Sequence, residues 1–164
     1  MGQEKTGEGI DRRGRFRKGL HALYLPIYDA LCEELAPHWQ PYSGWRSIQE
    51  QALLFNQGRT SPGKIVTWKR GGESAHNYGC ATDWTLWDQG KPLWSDQDPR
   101  WSEYKTACEK VGARWGGTFE DFVHNELRIG VSWKRIREVL DSKGLVEAEK
   151  ALGLAHAALV TVRS

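Results

Sequence analysis

The sequence predicts an α+β domain, and three observations predict it. Helical and strand-like stretches mix without βαβ regularity, no segment repeats, and 164 residues suffice for one core with a short appendage. Residues 1–17 are polar, Gly-rich and charged, and read as a flexible basic tail. In residues 20–36, Leu20, Leu23, Ile27, Leu31 and Leu35 recur near every fourth position, which predicts a helix that Pro26 kinks or starts. "APHWQPYSGW" reads as a break with two prolines. Ser47 followed by Glu50 has the capping-box spacing and opens a helix to Asn56.

Beyond that helix, "NQGRTSPGK" reads as loop, "IVTW" as a short strand, "KRGGES" as a turn and "CATDWTLW" as a strand. "DQGKPLWSDQDPR" is loop. "WSEYKTACEKVGA" is a helix with Gly112 at its C-terminal cap. "ARWGGTFEDFVHNELR" holds a Gly-Gly turn and a short extended piece. Ser132 caps the next helix, where Trp133, Ile136, Val139 and Leu140 form a stripe and Gly144 stops it. A last Ala- and Leu-rich helix runs through residues 146–160.

The net charge of +2 is unevenly spread. Residues 1–18 carry six basic and three acidic side chains, residues 128–164 seven and four, and residues 19–127 ten and fourteen. Such ends suit either an anionic surface or a solvated tail and helix face. Nine tryptophans serve either as core fillers or as a sugar- or peptide-facing groove, and composition does not separate the two. Three cysteines without a CxxC pair exclude a disulfide framework. No apolar run reaches the ~18 residues of a membrane span, and the first residues lack the apolar core of a signal peptide.

Chemistry concentrates in "ESAHNYGCATDW". His76 and Asp83 are seven apart, which fits neither one helix face nor one side of a strand. Gly79 between them permits a reversal that brings both to one ion. Asp121 precedes His124 by three residues, an offset at which a carboxylate could act as general base beside a metal. His21, His38 and His156 lack such neighbours.

These residues carry a resemblance. "SAHNYGCATD" fits S-x-H-x-x-G-x-A-x-D, the signature of the zinc peptidases that include D-Ala-D-Ala peptidases and L-alanyl-D-glutamate endopeptidases. "SGWRSIQEQALLFNQGRTSPGKIVT" is similar to the phage endolysin branch, as is "WGGTFEDFVH", and the likeness covers residues 20–128. It implies a small antiparallel sheet flanked by helices, of the D,D-peptidase/hedgehog type, over residues 18–130. Residues 131–164 then form a helical extension expected to pack on that domain. It implies His76, Asp83 and His124 as Zn2+ ligands, Asp121 as general base, Arg46 on the substrate carbonyl or oxyanion and Ser74 beside the substrate. Gln51 matches without a role.

The function so implied is hydrolysis of the L-Ala–D-Glu bond of bacterial peptidoglycan. The enzyme would be a monomer made in the host cytoplasm, released to the wall by a holin, with no nucleic-acid partner and no membrane insertion. A D,D-carboxypeptidase, a bacterial effector and a non-catalytic zinc-containing recognition domain are the alternatives. The sequence departs from the pattern at Cys80, usually aliphatic, at Val123, usually proline, and in "HNEL".

Overall fold

The computed structural model describes residues 11–162, and there an antiparallel sheet is packed between helices, as the α+β reading expects. The strands are β1 (Trp39–Ser43), β2 (Ala81–Asp88), β3 (Lys91–Leu93), β4 (Arg114–Trp115) and β5 (His124–Glu126). Their order is β1-β2-β5-β4, and β3 forms a hairpin on β2. Helices α1 (Arg12–Arg17), α2 (Leu25–Glu34), α3 (Ile48–Asn56), α4 (Trp101–Lys110), α5 (Trp133–Lys143) and α6 (Leu145–Val162) surround it.

Pro26 marks the start of α2 and does not kink it, because the first helical turn has no partner for the missing N–H. Ser47 and Glu50 close the reciprocal cap on α3. Ser132 caps α5 and the Gly144 N–H returns to Leu140 O at its end.

Four local expectations are corrected. Residues 12–17 are helical and anchored: the Arg13 guanidinium donates to Cys32 O (2.6 Å) and Leu35 O (3.1 Å), satisfying carbonyls at the end of α2, and to Trp39 O (3.0 Å) at the start of β1. The rest of the expected tail, residues 1–10, lies outside the described residues. The proline-bearing break at 36–45 contains β1, where Pro41 is tolerated by its place in the strand order at the end of the sheet. "IVTW" forms no strand, and Ile65, Val66 and Trp68 are exposed. The expected loop after β2 contains β3.

Alternation along β2 and β5 gives the sheet two chemically different faces. Thr82, Trp84, Leu86, Asn125 and Leu127 face the core, where Tyr24, Tyr28, Leu31, Trp39 and Tyr104 are fully buried. Trp39 stacks on Tyr104 at 5.4 Å and meets Trp101 edge-on at 5.1 Å. Asn125 Nδ2 donates to Tyr104 Oη (2.8 Å) and Thr82 O (3.0 Å), so the polar groups in this core are satisfied. Trp133, Ile136, Ala148 and Leu152 of the C-terminal helices join the same core. The tryptophans therefore divide: Trp39, Trp84, Trp101 and Trp133 are buried, whereas Trp45, Trp68 and Trp94 are exposed. The opposite face of β2 and β5 presents Asp83, His124 and Glu126.

Candidate metal centre and its groove

Three elements deliver the central side chains. Ser74 follows the turn at residues 71–72 with an extended backbone, and its hydroxyl accepts from the His76 N–H, starting a 3₁₀ turn over Ala75–Tyr78. Gly79 reverses the chain at φ +68°, and a Cβ there would lie 2.4 Å from Gly19 O. The chain then enters β2, which brings Asp83 back beneath His76. Asp83 and His124 are register partners across the β2–β5 ladder.

The three side chains offer donor atoms all within 4.8 Å of one another. His76 Nε2 is 3.2 Å and His124 Nδ1 is 3.0 Å from Asp83 Oδ1. These lie near the ~3.3 Å edge of a tetrahedron with ~2.0 Å zinc bonds. Because a carbonyl can only accept, His76 Nδ1, 2.7 Å from Gly44 O, carries a proton and Nε2 faces inward. Two imidazoles, each with an outer partner, and one carboxylate fit a zinc site that keeps one position open.

Glu126 supplies that partner for His124, with Oε2 3.0 Å from Nε2, and its Oε1 accepts from Arg114 Nη1 at 3.1 Å. Without a cation, these groups balance each other. Burial alone would raise the Asp83 carboxyl, but the two histidines hold it well below the usual range. Burial alone would lower His124, but hydrogen bonds to Asp83 and Glu126 push it up to about 10. Glu126 is lowered by His124 and Arg114 against its own burial.

Arg46 and Asp121 line the same cavity of about 650 Å³ as the triad and Ser74. Arg46 donates to Gln51 Oε1 (2.8 Å) and Ser43 Oγ (3.2 Å). Buried Gln51 in turn donates to Lys69 O (2.9 Å), so it aims the guanidinium and ties the following loop to α3. Asp121 follows a second 3₁₀ turn, Gly116–Phe119, and its N–H bonds Gly116 O. A Cβ at Gly116 would lie 2.8 Å from the His124 Cβ, so only glycine lets this turn close over the strand. The Asp121 carboxyl sits at the rim with protein packed on one side. Its pKa is raised, first by that desolvation and then by Asp83 and Glu126, while His124 and His76 oppose.

All six residues singled out in the sequence thus meet in one cavity, whereas His21, His38 and His156 bond elsewhere, to Glu149, Glu103 and Arg128 O. Cys80 is buried, its thiol donates to Tyr78 O, and burial pushes its pKa up, which keeps it a small core residue.

Sequence reasoning missed two side chains. Asn77 Oδ1 accepts from the Gly72 N–H (2.8 Å), and its Nδ2 donates to Arg46 O (3.0 Å), linking the metal turn to the arginine. Its place in the third position after Ser74 was a capping signal. Glu126 was noted only as part of a departure. Its position two residues beyond His124 on a strand, hence on the same face, was the available clue.

Residues 68–127 match the family model described as D-alanyl-D-alanine carboxypeptidase. The chain is 41% identical over 95 residues to the peptidoglycan L-alanyl-D-glutamate endopeptidase CwlK of Bacillus subtilis, covering 51% of this chain and 57% of that protein. It thus spans little more than half the length of that relative. The crystal structure of the Serratia marcescens L-Ala D-Glu endopeptidase ChiX aligns over 77% of this chain and 96% of its own, at 23% identity and a TM-score of 0.49. The segment that carries the histidine–aspartate motif is thus similar to the D-alanyl-D-alanine carboxypeptidase family model, within a chain that is also similar to an L-alanyl-D-glutamate endopeptidase.

Proposed function

We propose that this protein is a zinc-dependent peptidoglycan hydrolase that cleaves the L-Ala–D-Glu bond of the stem peptide. The observation that carries this reading is the meeting of His76, Asp83 and His124 with Asp121 and Arg46 in one cavity. His76 Nε2, an Asp83 oxygen and His124 Nδ1 would hold the ion. Bound zinc supplies Lewis acidity and a water whose pKa falls to about 7.

The remaining work falls to the chain. Asp121 takes the proton of the attacking water and returns it to the leaving D-Glu nitrogen, so water adds across the bond and frees an L-Ala carboxylate. A carboxyl raised above its ordinary value suits both halves of that exchange. Arg46, held by Gln51 and Ser43, presents a permanent forked charge to the oxygen that becomes anionic. Ser74 keeps the His76 turn in place by its cap. The bond specificity named for CwlK and the "QGRT" segment support the endopeptidase over a carboxypeptidase. We assign the chain to the phage endolysin branch on the latter, acting as a monomer on the wall after holin release. Among the described residues, no helix is long and apolar enough to cross a membrane.

Mass spectrometry of muropeptides tests this, using purified peptidoglycan digested with the zinc-loaded protein and with Asp121→Ala as control. New N-terminal D-Glu in the wild-type digest alone is the expected result. Loss of terminal D-Ala instead would transfer the protein to carboxypeptidases, and zinc binding without any cleavage would make it a recognition domain.

A further inference from the structure

Two further cavities adjoin the metal groove, and they differ in chemistry. One, of about 470 Å³, shares Tyr42, Arg46 and Leu54 with it. Its distinctive walls are Phe16, Trp45 and Gln57, and Trp45 is 53% exposed. Tyr42 is braced edge-on by Trp94 at 5.1 Å. Its one carboxylate, Glu50, is committed to the cap of α3, and Arg46 is tied to Gln51 and Ser43. This groove offers aromatic faces and hydrogen-bonding edges with little free charge.

The other cavity, of about 840 Å³, shares Lys69, Arg114, Glu126 and Trp133 with the metal groove. Its walls are apolar, from Leu23, Ile27, Val111 and Ile129, and its charge is cationic. Arg114 is compensated by Glu126. Among the described residues, Lys69 Nζ and the Arg128 guanidinium have no carboxylate partner, and Arg128 Nε is buried without a hydrogen-bond acceptor. A buried, unpaired guanidinium nitrogen is costly, and an incoming anion relieves that cost.

Resting on the endopeptidase reading, we infer the direction in which the substrate lies: its saccharide end occupies the Trp45 groove, and its free carboxylate end occupies the Arg128 cavity. The chemistry of a muropeptide demands two such unlike neighbours. One L-alanine, a span of about 3.5 Å, separates the scissile bond from the muramic acid, so a sugar must sit immediately beside the metal groove on one side. On the other side the D-Glu and the residues beyond it carry the free carboxylates. A neutral, polyhydroxylated ring matches exposed aromatic faces flanked by Gln57. Carboxylates match uncompensated Lys69 and Arg128. The opposite orientation would leave the carboxylates against an aromatic wall and the cations without a partner.

Four synthetic substrates test the assignment: stem peptides with and without the N-acetylmuramyl group, each as free acid or with amidated distal carboxylates. KM and kcat are measured for the zinc-loaded wild type, Trp45→Ala, Trp45→Phe, Arg128→Ala and Arg128→Lys. Calorimetric binding in an Asp121→Asn background gives affinity without turnover. Trp45→Ala should weaken binding of the saccharide-bearing pair about tenfold and leave the bare peptides unchanged, with Phe restoring part of the loss. Arg128→Ala should weaken the free acids about tenfold and leave the amides unchanged, with Lys restoring part. An exchanged pattern, with Trp45 sensing the carboxylates and Arg128 the sugar, would reverse the direction and overturn the inference. Equal losses on all four substrates would overturn it too. If the wild type cuts none at the L-Ala–D-Glu bond, the endopeptidase reading itself fails and this inference falls with it.

Discussion

His124 is clamped between two carboxylates, with Nδ1 3.0 Å from Asp83 Oδ1 and Nε2 3.0 Å from Glu126 Oε2. Asp83 lies on the neighbouring strand and Glu126 two residues along the same one, so the sheet itself orients the ring. Glu126→Ala should release His124 and weaken zinc affinity about 10- to 100-fold, read by competition with a chromophoric chelator. Glu126→Gln, which still accepts from Nε2, should lose less. Unchanged affinity in both would mean that the ring is held by packing against Phe119.

The same clamp fixes how the metal-free protein responds to pH. His124 sits at about 10, above the ordinary imidazole value of about 6.5. Its contribution to stability is therefore full below pH ~6.5 and is lost as pH rises through about 10. Asp83 and Glu126 are depressed, so theirs is present above pH ~4 and is lost as pH falls below that. Thermal unfolding with excess chelator should show greatest stability between about pH 4.5 and 6.5. Zinc, by replacing a proton on Nδ1, should bind more tightly as pH rises over the same range. A melting temperature flat from acid to alkaline pH would remove the clamp as an energetic element.

Gln51→Ala should leave zinc content unchanged and lower kcat more than it raises KM, because Arg46 loses the partner that aims it. A drop of about tenfold is expected from loosening one charge-assisted contact. Stability should fall by about 1–3 kcal/mol, since Lys69 O loses its buried donor. Steady-state kinetics and urea unfolding on one preparation separate the two effects. An undiminished kcat would show that Arg46 needs no such support.

Trp133 is 7% exposed, stacks on Tyr78 at 5.6 Å and lines the metal groove from the C-terminal extension. Trp133→Ala should cost about 3–5 kcal/mol in urea unfolding. Removing residues 131–164 should cost more, because Ile136, Ala148 and Leu152 also leave the core. A truncated chain as stable as the whole would make the extension an independent unit.

The sequence announced helices best where their ends were chemically marked: the Ser47–Glu50 cap, Pro26 at the first turn of α2, and Ser132 and Gly144 around α5. β1 was hidden because Pro41 speaks against a strand locally, while its edge position, which excuses the proline, exists only in the folded sheet. "IVTW" failed for the converse reason. Its branched side chains favour a strand, but no neighbouring strand pairs with it; Arg59 and Gln51 hold this loop through Thr67 O and Lys69 O. The site residues were legible because one contiguous motif carries two of the candidate ligands. Glu126 and Asn77 were not, since each acts through a partner that tertiary packing supplies.

The pairing of Asp83 opposite His124 has a consequence for how the chain folds. Side chains alternate along a strand, so a slip of one residue between β2 and β5 would turn one of this pair to the opposite face. An ion that requires both can be captured only by the correctly paired sheet. Zinc present during refolding should therefore act as a proofreader of strand alignment, withdrawing the native pairing from a pool of misaligned hairpins. Its imprint would be found in the yield and homogeneity of refolded protein, before any substrate is added.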